Sequence, residues 1–190
     1  FSARVNIDHK VKPWLNVGLN LNLSKSERNN NGQSEDSGSI FWFVDNIPSI
    51  YPLFTRNADG SKIENTIYGG YEFDYGQNRR FGALTNSIAD ATYGVDRHNR
   101  SELNGRGYLN FNIVDGLTFE NSFGYQYYNN NYVSKNDKFF GSAASTNGSL
   151  YKNNSEMNFY NILNLLRYKK SFSSHNLEAL VAHESSEFKV

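Results

Sequence analysis

Much of the chain alternates apolar and polar residues, the pattern of strands whose two faces meet different surroundings. In the first segment, Val5 and Ile7 alternate with Arg4 and Asn6. The last two segments are also predicted to be strands, although apolar residues occur at both parities there and leave their facing open. The six predicted strands are about residues 1–9, 14–24, 99–113, 117–128, 155–169 and 176–190. The sequence therefore predicts an all-β chain.

The connections between these strands are alternately short and long. Two long loops are predicted, about residues 25–98 and 129–154, and the other connections are tight turns. Bacterial outer-membrane barrels have this rhythm, with short periplasmic turns and long extracellular loops. We therefore expect an antiparallel transmembrane β-barrel in which residues 1–190 form part of one barrel domain. Closed bacterial barrels begin at eight strands, so about six strands predict an incomplete sector.

Two other interpretations also fit the alternation of apolar and polar residues. A soluble or surface-anchored β-sandwich that binds carbohydrate would bury one face of each strand and expose the other. A passive porin-like barrel would have the same strands and loops without an energised mechanism. The loop rhythm and the strand lengths favour a barrel over a sandwich.

Composition narrows the class of protein. Lysine plus arginine and aspartate plus glutamate number 19 each, so charge gives no case for a nucleic-acid partner. The chain has no cysteine, which excludes disulfides and thiolate metal sites. Asparagine accounts for 28 of the 190 residues. Asparagine-rich strand faces suit a wet lumen, and the leucine, valine and phenylalanine on the opposite faces suit the lipid of a bacterial outer membrane.

No catalytic motif is present, so the sequence does not predict an enzyme, and no cofactor is implied. The four histidines show no metal-ligand spacing. Glu35 and Asp36, beside serine and asparagine, have calcium-binding chemistry but lack the spacing of a known calcium loop. A solvated loop explains that pair better, and we predict no metal site.

The first long loop contains the candidate binding residues. It is rich in aromatic side chains among asparagine, aspartate and glycine, and flat rings beside amide groups suit the faces and hydroxyls of sugars. The alternative is that these rings pack the loop onto the barrel mouth or onto a partner. The predicted substrate-binding residues are Trp42, Tyr51, Tyr68, Tyr71 and Tyr75.

Several segments together resemble one family. The pattern Arg4-x-Asn6 followed by Trp14-Leu-x-x-Gly18-x-Asn20 is similar to a strand pair of SusC/RagA-type, TonB-dependent outer-membrane transporters of Bacteroidetes. Further segments similar to that family are Pro48-Ser-Ile-Tyr-Pro-Leu-Phe54 before Asp59-Gly60, Gly116-Leu-Thr-Phe119, and Tyr168-Lys-Lys-Ser-Phe172 before His175-Asn-Leu177. One departure is Ala182-His183-Glu184, where the family often has Gly-x-Glu.

The resemblance implies an energised importer of oligosaccharides, or in some members of peptides. It also implies a SusD-like surface lipoprotein as partner and contact with TonB through an N-terminal part. That part, the plug domain and the other strands of a barrel of about 22 strands have no counterpart in this sequence, so we expect the chain to be a mid-barrel fragment.

Overall fold

The computed structural model describes residues 1–30, 39–77 and 79–190. Six strands follow one another in a single sheet, in the order in which they occur along the chain. Their bounds are β1 Ser2–Lys12, β2 Leu15–Asn29, β3 Val95–Val114, β4 Leu117–Asn136, β5 Ser149–Phe172 and β6 His175–Lys189. All are antiparallel, which confirms the all-β prediction and a partial, barrel-like sector. The described residues form one sheet. The β-sandwich alternative is therefore wrong for them, because a sandwich needs two sheets packed face to face.

The chain divides into two compact units. We call residues 1–27, 99–131 and 154–190 the strand unit, and residues 28–98 and 132–153 the loop unit. The described part of the loop unit contains two short helices, α1 Ile40–Asn46 and α2 Ser87–Tyr93, and a 3-10 helix at Ser142–Thr146. Among the described residues, no helix is long and apolar enough to cross a membrane.

The strands extend beyond the predicted bounds, and the predicted loops 25–98 and 129–154 are correspondingly too long. The difference arises because polar and aromatic contacts accompany the strands where the apolar alternation has stopped. His98 stacks on Tyr132 with ring centroids 4.4 Å apart, and Tyr132 contacts Tyr151 at 5.8 Å. The Asn136 amide donates to the Ser149 hydroxyl at 2.8 Å. Strand pairing is a backbone property and continues without an apolar face.

In the first hairpin of the strand unit, each face has its own chemistry. Ile7 pairs with Leu19 on one face, and Asn6 pairs with Asn20 on the other. Ile7 is 51% exposed, so the apolar face is uncovered. Among the described residues, the buried apolar side chains are Phe43, Tyr75 and Ala89, and all three belong to the loop unit.

Contacts across the sheet establish the facing of β5 and β6, which the sequence left open. Tyr160 packs against Phe123, with ring centroids 6.4 Å apart, and therefore lies on the apolar face. Asn161 lies against Gly124 on the polar face and donates to the Glu184 carboxylate at 2.6 Å.

Candidate ligand site in the loop unit

A closed set of backbone hydrogen bonds forms the frame of the loop unit. Thr55 N–H donates to the Glu72 carbonyl at 2.8 Å, and Glu72 N–H donates to the Ile63 carbonyl at 2.9 Å. Ile63 N–H donates to the Thr55 carbonyl at 3.0 Å. Three extended segments are therefore each paired with both of the others. These segments satisfy backbone groups of one another, which lets them present side chains from an ordered support.

Aromatic rings pack in series on this frame. Phe54 contacts Phe73 at 5.0 Å, and Phe73 contacts Tyr93 of α2 at 5.5 Å between ring centroids. Tyr93 stacks on Phe140 at 5.3 Å and packs against Tyr68 at 4.9 Å. Such pairs contribute about 0.5–1.5 kcal/mol each beyond the area that they bury. The series joins the first long connection to residues that follow β4.

A buried carboxylate reinforces this junction. The Tyr68 hydroxyl donates to Asp137 Oδ2 at 2.5 Å, and Asp137 Oδ1 accepts the N–H groups of Phe139 at 2.8 Å and Phe140 at 2.9 Å. Burial by itself would raise the pKa of Asp137, but these donors stabilise the charged form and lower it. The same hydrogen bond raises the pKa of the Tyr68 hydroxyl.

Two further side chains are held in fixed positions beside the junction. Tyr75 is buried, and its hydroxyl donates to Asp90 Oδ1 at 2.9 Å. Burial, followed by the charge of Asp90, raises the pKa of Tyr75. Arg79 is buried with its guanidinium 5.3 Å from the Tyr51 ring centroid, and it donates to the carbonyls of Gly82 and Thr85.

These groups surround a cavity of about 650 Å³. That volume is within the range of small-molecule sites. Its aromatic lining is Tyr51, Phe73, Tyr75, Phe139 and Phe140, and its charged lining is Glu72, Asp74, Arg79 and Arg80. Apolar rings with a few charged groups are the usual composition of a ligand pocket.

The predicted binding residues are distributed over four places. Tyr51 and Tyr75 line the cavity. Tyr68 belongs to the aromatic series, whereas Tyr71 packs edge-on against Phe54 at 5.9 Å under the ammonium of Lys62. Trp42 lies in α1 and stacks on Phe81 at 5.9 Å.

Sequence reasoning missed the contribution of the second connection. Phe139 and Phe140 follow the end of β4 and line the cavity, and Asp137 orients them. A signal in the sequence could have identified them. Asp137 precedes one of these two adjacent aromatic residues by two positions and the other by three, and at these spacings a carboxylate can accept backbone N–H groups. Glu35 and Asp36 lie outside the described residues. Within the described ranges, no three His, Cys, Asp or Glu side chains come together as a metal site.

The strand unit has a separate depression of about 570 Å³ on its polar face. Arginine, asparagine, glutamine and glutamate side chains line most of it. These polar lining residues are Arg4, Asn6, Asn20, Asn22, Asn104, Arg106, Gln126, Asn161 and Glu184. A surface of amides with charges of both signs suits contact with water and polar solutes.

Comparison with known proteins shows a likeness in fold. No family model and no curated protein matches this chain. A solved structure of the RagAB peptide transporter matches 98% of the chain and 20% of its own chain, with a TM-score of 0.73 and 22% sequence identity. Structures of the RagAB peptide importer in its 'closed-closed' and 'open-open' states match with the same coverage, a TM-score of 0.70 and 23% identity. The chain thus spans about a fifth of the length of these transporter chains and has the fold of that sector.

Proposed function

We propose that this chain is a wall sector, with its surface loops, of an outer-membrane importer that takes up oligosaccharides or peptides. The observation that carries the proposal is the two-sided sheet of the strand unit, whose fold is similar to a sector of a peptide transporter. Val5, Ile7, Leu19 and Leu23 are all exposed on one face. Four exposed apolar side chains on one face favour aggregation in water, but they suit contact with lipid. The opposite, polar face suits a wet lumen.

Closure of the sheet follows from the same physics. The backbone groups at the outer edges of β1 and β6 would need partners inside a bilayer, because unpaired N–H and C=O groups are costly in hydrocarbon. In this proposal the rest of the barrel supplies those strands.

The proposal also includes the energy source of import and the partner proteins. TonB would drive import through a plug domain, and a SusD-like surface lipoprotein would deliver the ligand. The family resemblance of the sequence and the likeness to the RagAB importer support this assignment over an enzyme.

Uptake by cells tests the mechanism. Cells that express the full-length protein should accumulate a labelled peptide or oligosaccharide, and loss of TonB or of the proton gradient should abolish uptake. Uptake that persists without TonB would favour the passive porin-like alternative instead. No uptake of either ligand class would remove the importer proposal.

A further inference from the structure

Arg79 is a buried charged side chain on the wall of the loop-unit cavity, and only 9% of it is exposed. Its guanidinium donates from Nε to the Gly82 carbonyl at 3.0 Å and from Nη2 to the Thr85 carbonyl. The centroid of the Tyr51 ring lies 5.3 Å from the guanidinium carbon. Gly76, at φ 60°, leaves room for this group, because an added Cβ there would overlap Nε. The guanidinium is therefore held in one position before any ligand binds.

These contacts use one edge of the guanidinium and leave another edge free. A guanidinium has five N–H donors in a planar fork. Nε and Nη2 donate to the two carbonyls, whereas Nη1 makes no hydrogen bond with any residue that the structure describes. Nη1 is not among the enclosed polar atoms that lack a partner, so solvent can reach it. Nη1 and Nη2 together can donate two parallel hydrogen bonds to a carboxylate or a sulfate.

The positive charge of Arg79 is not neutralised by a neighbouring side chain. Within the described ranges of the chain, none of the ion pairs includes Arg79. Backbone carbonyls and an aromatic ring stabilise the cation, but they carry no counter-charge. A neutral ligand that displaced water from the cavity would leave this charge buried and unpaired, which is costly. A ligand with an acidic group would compensate it.

The charged residues that line the cavity balance in sign, since Glu72 and Asp74 are negative and Arg79 and Arg80 are positive. The summed charge of the wall therefore favours neither sign of ligand. Asp74 Oδ1 already accepts the Gly76 N–H at 2.6 Å. Selection for an acidic group arises at Arg79 itself, from its burial and its free N–H groups.

We propose that Arg79 forms an oxyanion subsite in this cavity, which takes a carboxylate or sulfate group carried by a small organic ligand. The occupant is taken to be an imported molecule, so the inference rests on the proposed function and adds an acidic group to its ligand. Phe73, Phe139 and Phe140 line the same cavity and offer ring surfaces to the remainder of that ligand.

Matched sugars test the subsite in the unaltered protein. Calorimetry on the detergent-solubilised full-length protein would compare glucuronate with its neutral amide, glucuronamide, and a glucose sulfate with glucose. We expect each acidic sugar to bind more tightly than its neutral counterpart by on the order of tenfold or more, because a charge-assisted pair of hydrogen bonds is gained. Inorganic sulfate alone should bind more weakly than the glucose sulfate, since it lacks the contacts of the sugar ring.

Variants assign the preference to Arg79. Arg79→Gln should abolish the preference for acidic sugars, and Arg79→Lys should keep only part of it, because an ammonium has the charge without the planar fork. Arg80→Gln should retain the preference. Arg56→Gln is the matched control, because Arg56 also donates to a backbone carbonyl of the loop unit, that of Gly60 at 2.7 Å, without lining the cavity.

Hydrogen exchange at the Phe140 amide shows whether the loop unit stays folded in each variant. If Arg79→Gln loosens it, the matched sugars on the unaltered protein still decide the question. Equal binding within both sugar pairs would overturn the subsite, as would an unchanged preference in a folded Arg79→Gln protein. Inorganic sulfate that binds as tightly as the glucose sulfate would show an adventitious ion only and would also overturn it.

These outcomes are independent of transport. A preference for acidic sugars that depends on Arg79, in a protein that imports no ligand, would overturn the importer function and leave the subsite in place. TonB-dependent uptake together with equal binding of acidic and neutral sugars would do the reverse.

Discussion

Replacement of Leu19 or of its neighbour Asn20 by arginine tests which face of the strand unit meets lipid. Leu19 pairs with Ile7 on the apolar face, and Asn20 pairs with Asn6 on the polar face. The two positions are adjacent in β2, so they differ in facing but hardly in depth. We expect Leu19→Arg to destabilise the folded protein strongly and Asn20→Arg to change its stability little.

The depth of Leu19 determines the magnitude. It lies five residues beyond Trp14, which stands in the turn before β2. At about 3.3 Å per residue and a strand tilt of about 40°, Leu19 is about 13 Å from the turn along the membrane normal. That is close to the middle of an apolar band about 25 Å tall, where arginine costs about 2–4 kcal/mol. Asn20→Arg places the charge in a wet lumen, and we expect less than about 1 kcal/mol.

Urea titration of the full-length protein, folded into lipid vesicles, measures both values. The midpoint should fall for Leu19→Arg at an unchanged slope, which would show lower stability rather than a change in the exposed surface. If Leu19→Arg is within about 1 kcal/mol of the unaltered protein, its face is not in lipid. If Asn20→Arg is the more harmful change, the two faces have been assigned the wrong way round.

Three further predictions concern packing and pH. Gly18→Ala should lower the free energy of unfolding by about 1–3 kcal/mol in the same titration, because an added Cβ would overlap the Tyr108 ring. In the double variant, Tyr108→Ala should relieve that overlap. Asp137→Ala should speed hydrogen exchange at the Phe140 amide by on the order of tenfold or more, since that N–H loses a charged acceptor; exchange at an unchanged rate would contradict the assigned role. The pKa of Asp137 is lowered by folding, so its contribution to stability is complete above its unfolded pKa of about 3.9 and disappears as pH falls through the folded value. Protection of this amide in the unaltered protein should therefore weaken only below about pH 4, and loss near pH 6 would implicate another group.

The strands were predictable because each contains its own evidence. Alternation in β2 depends only on successive residues, and a one-residue shift in its pairing would move Leu19 and its apolar neighbours to the polar face. The single six-stranded sheet followed from four such segments, from two further apolar segments with less regular alternation, and from the tight turns between alternate pairs. The ends of β3, β4 and β5 were harder to predict, because cross-strand contacts such as His98 with Tyr132 do not produce an apolar periodicity.

The candidate site was predictable in composition but not in arrangement. Aromatic enrichment in the first long loop identified Tyr51 and Tyr75, which line the cavity. The same enrichment gave no means to separate them from Tyr71, which lies under Lys62, or from Trp42, which stacks within the loop unit. The sequence gives the type and position of each aromatic residue, whereas the residue that each ring contacts depends on the folded chain.

The sequence by itself determined the class of structure, since period-two alternation and the lengths of the connections are local properties of the chain. Only the tertiary structure decided the facing of β5 and β6, the extent of the strands and the walls of the cavity. These features depend on contacts between distant residues, such as the hydrogen bond from Tyr68 to Asp137 across 69 positions. A polar or aromatic side chain could interact with many different residues. The fold determines which of them it contacts by bringing that residue close to it.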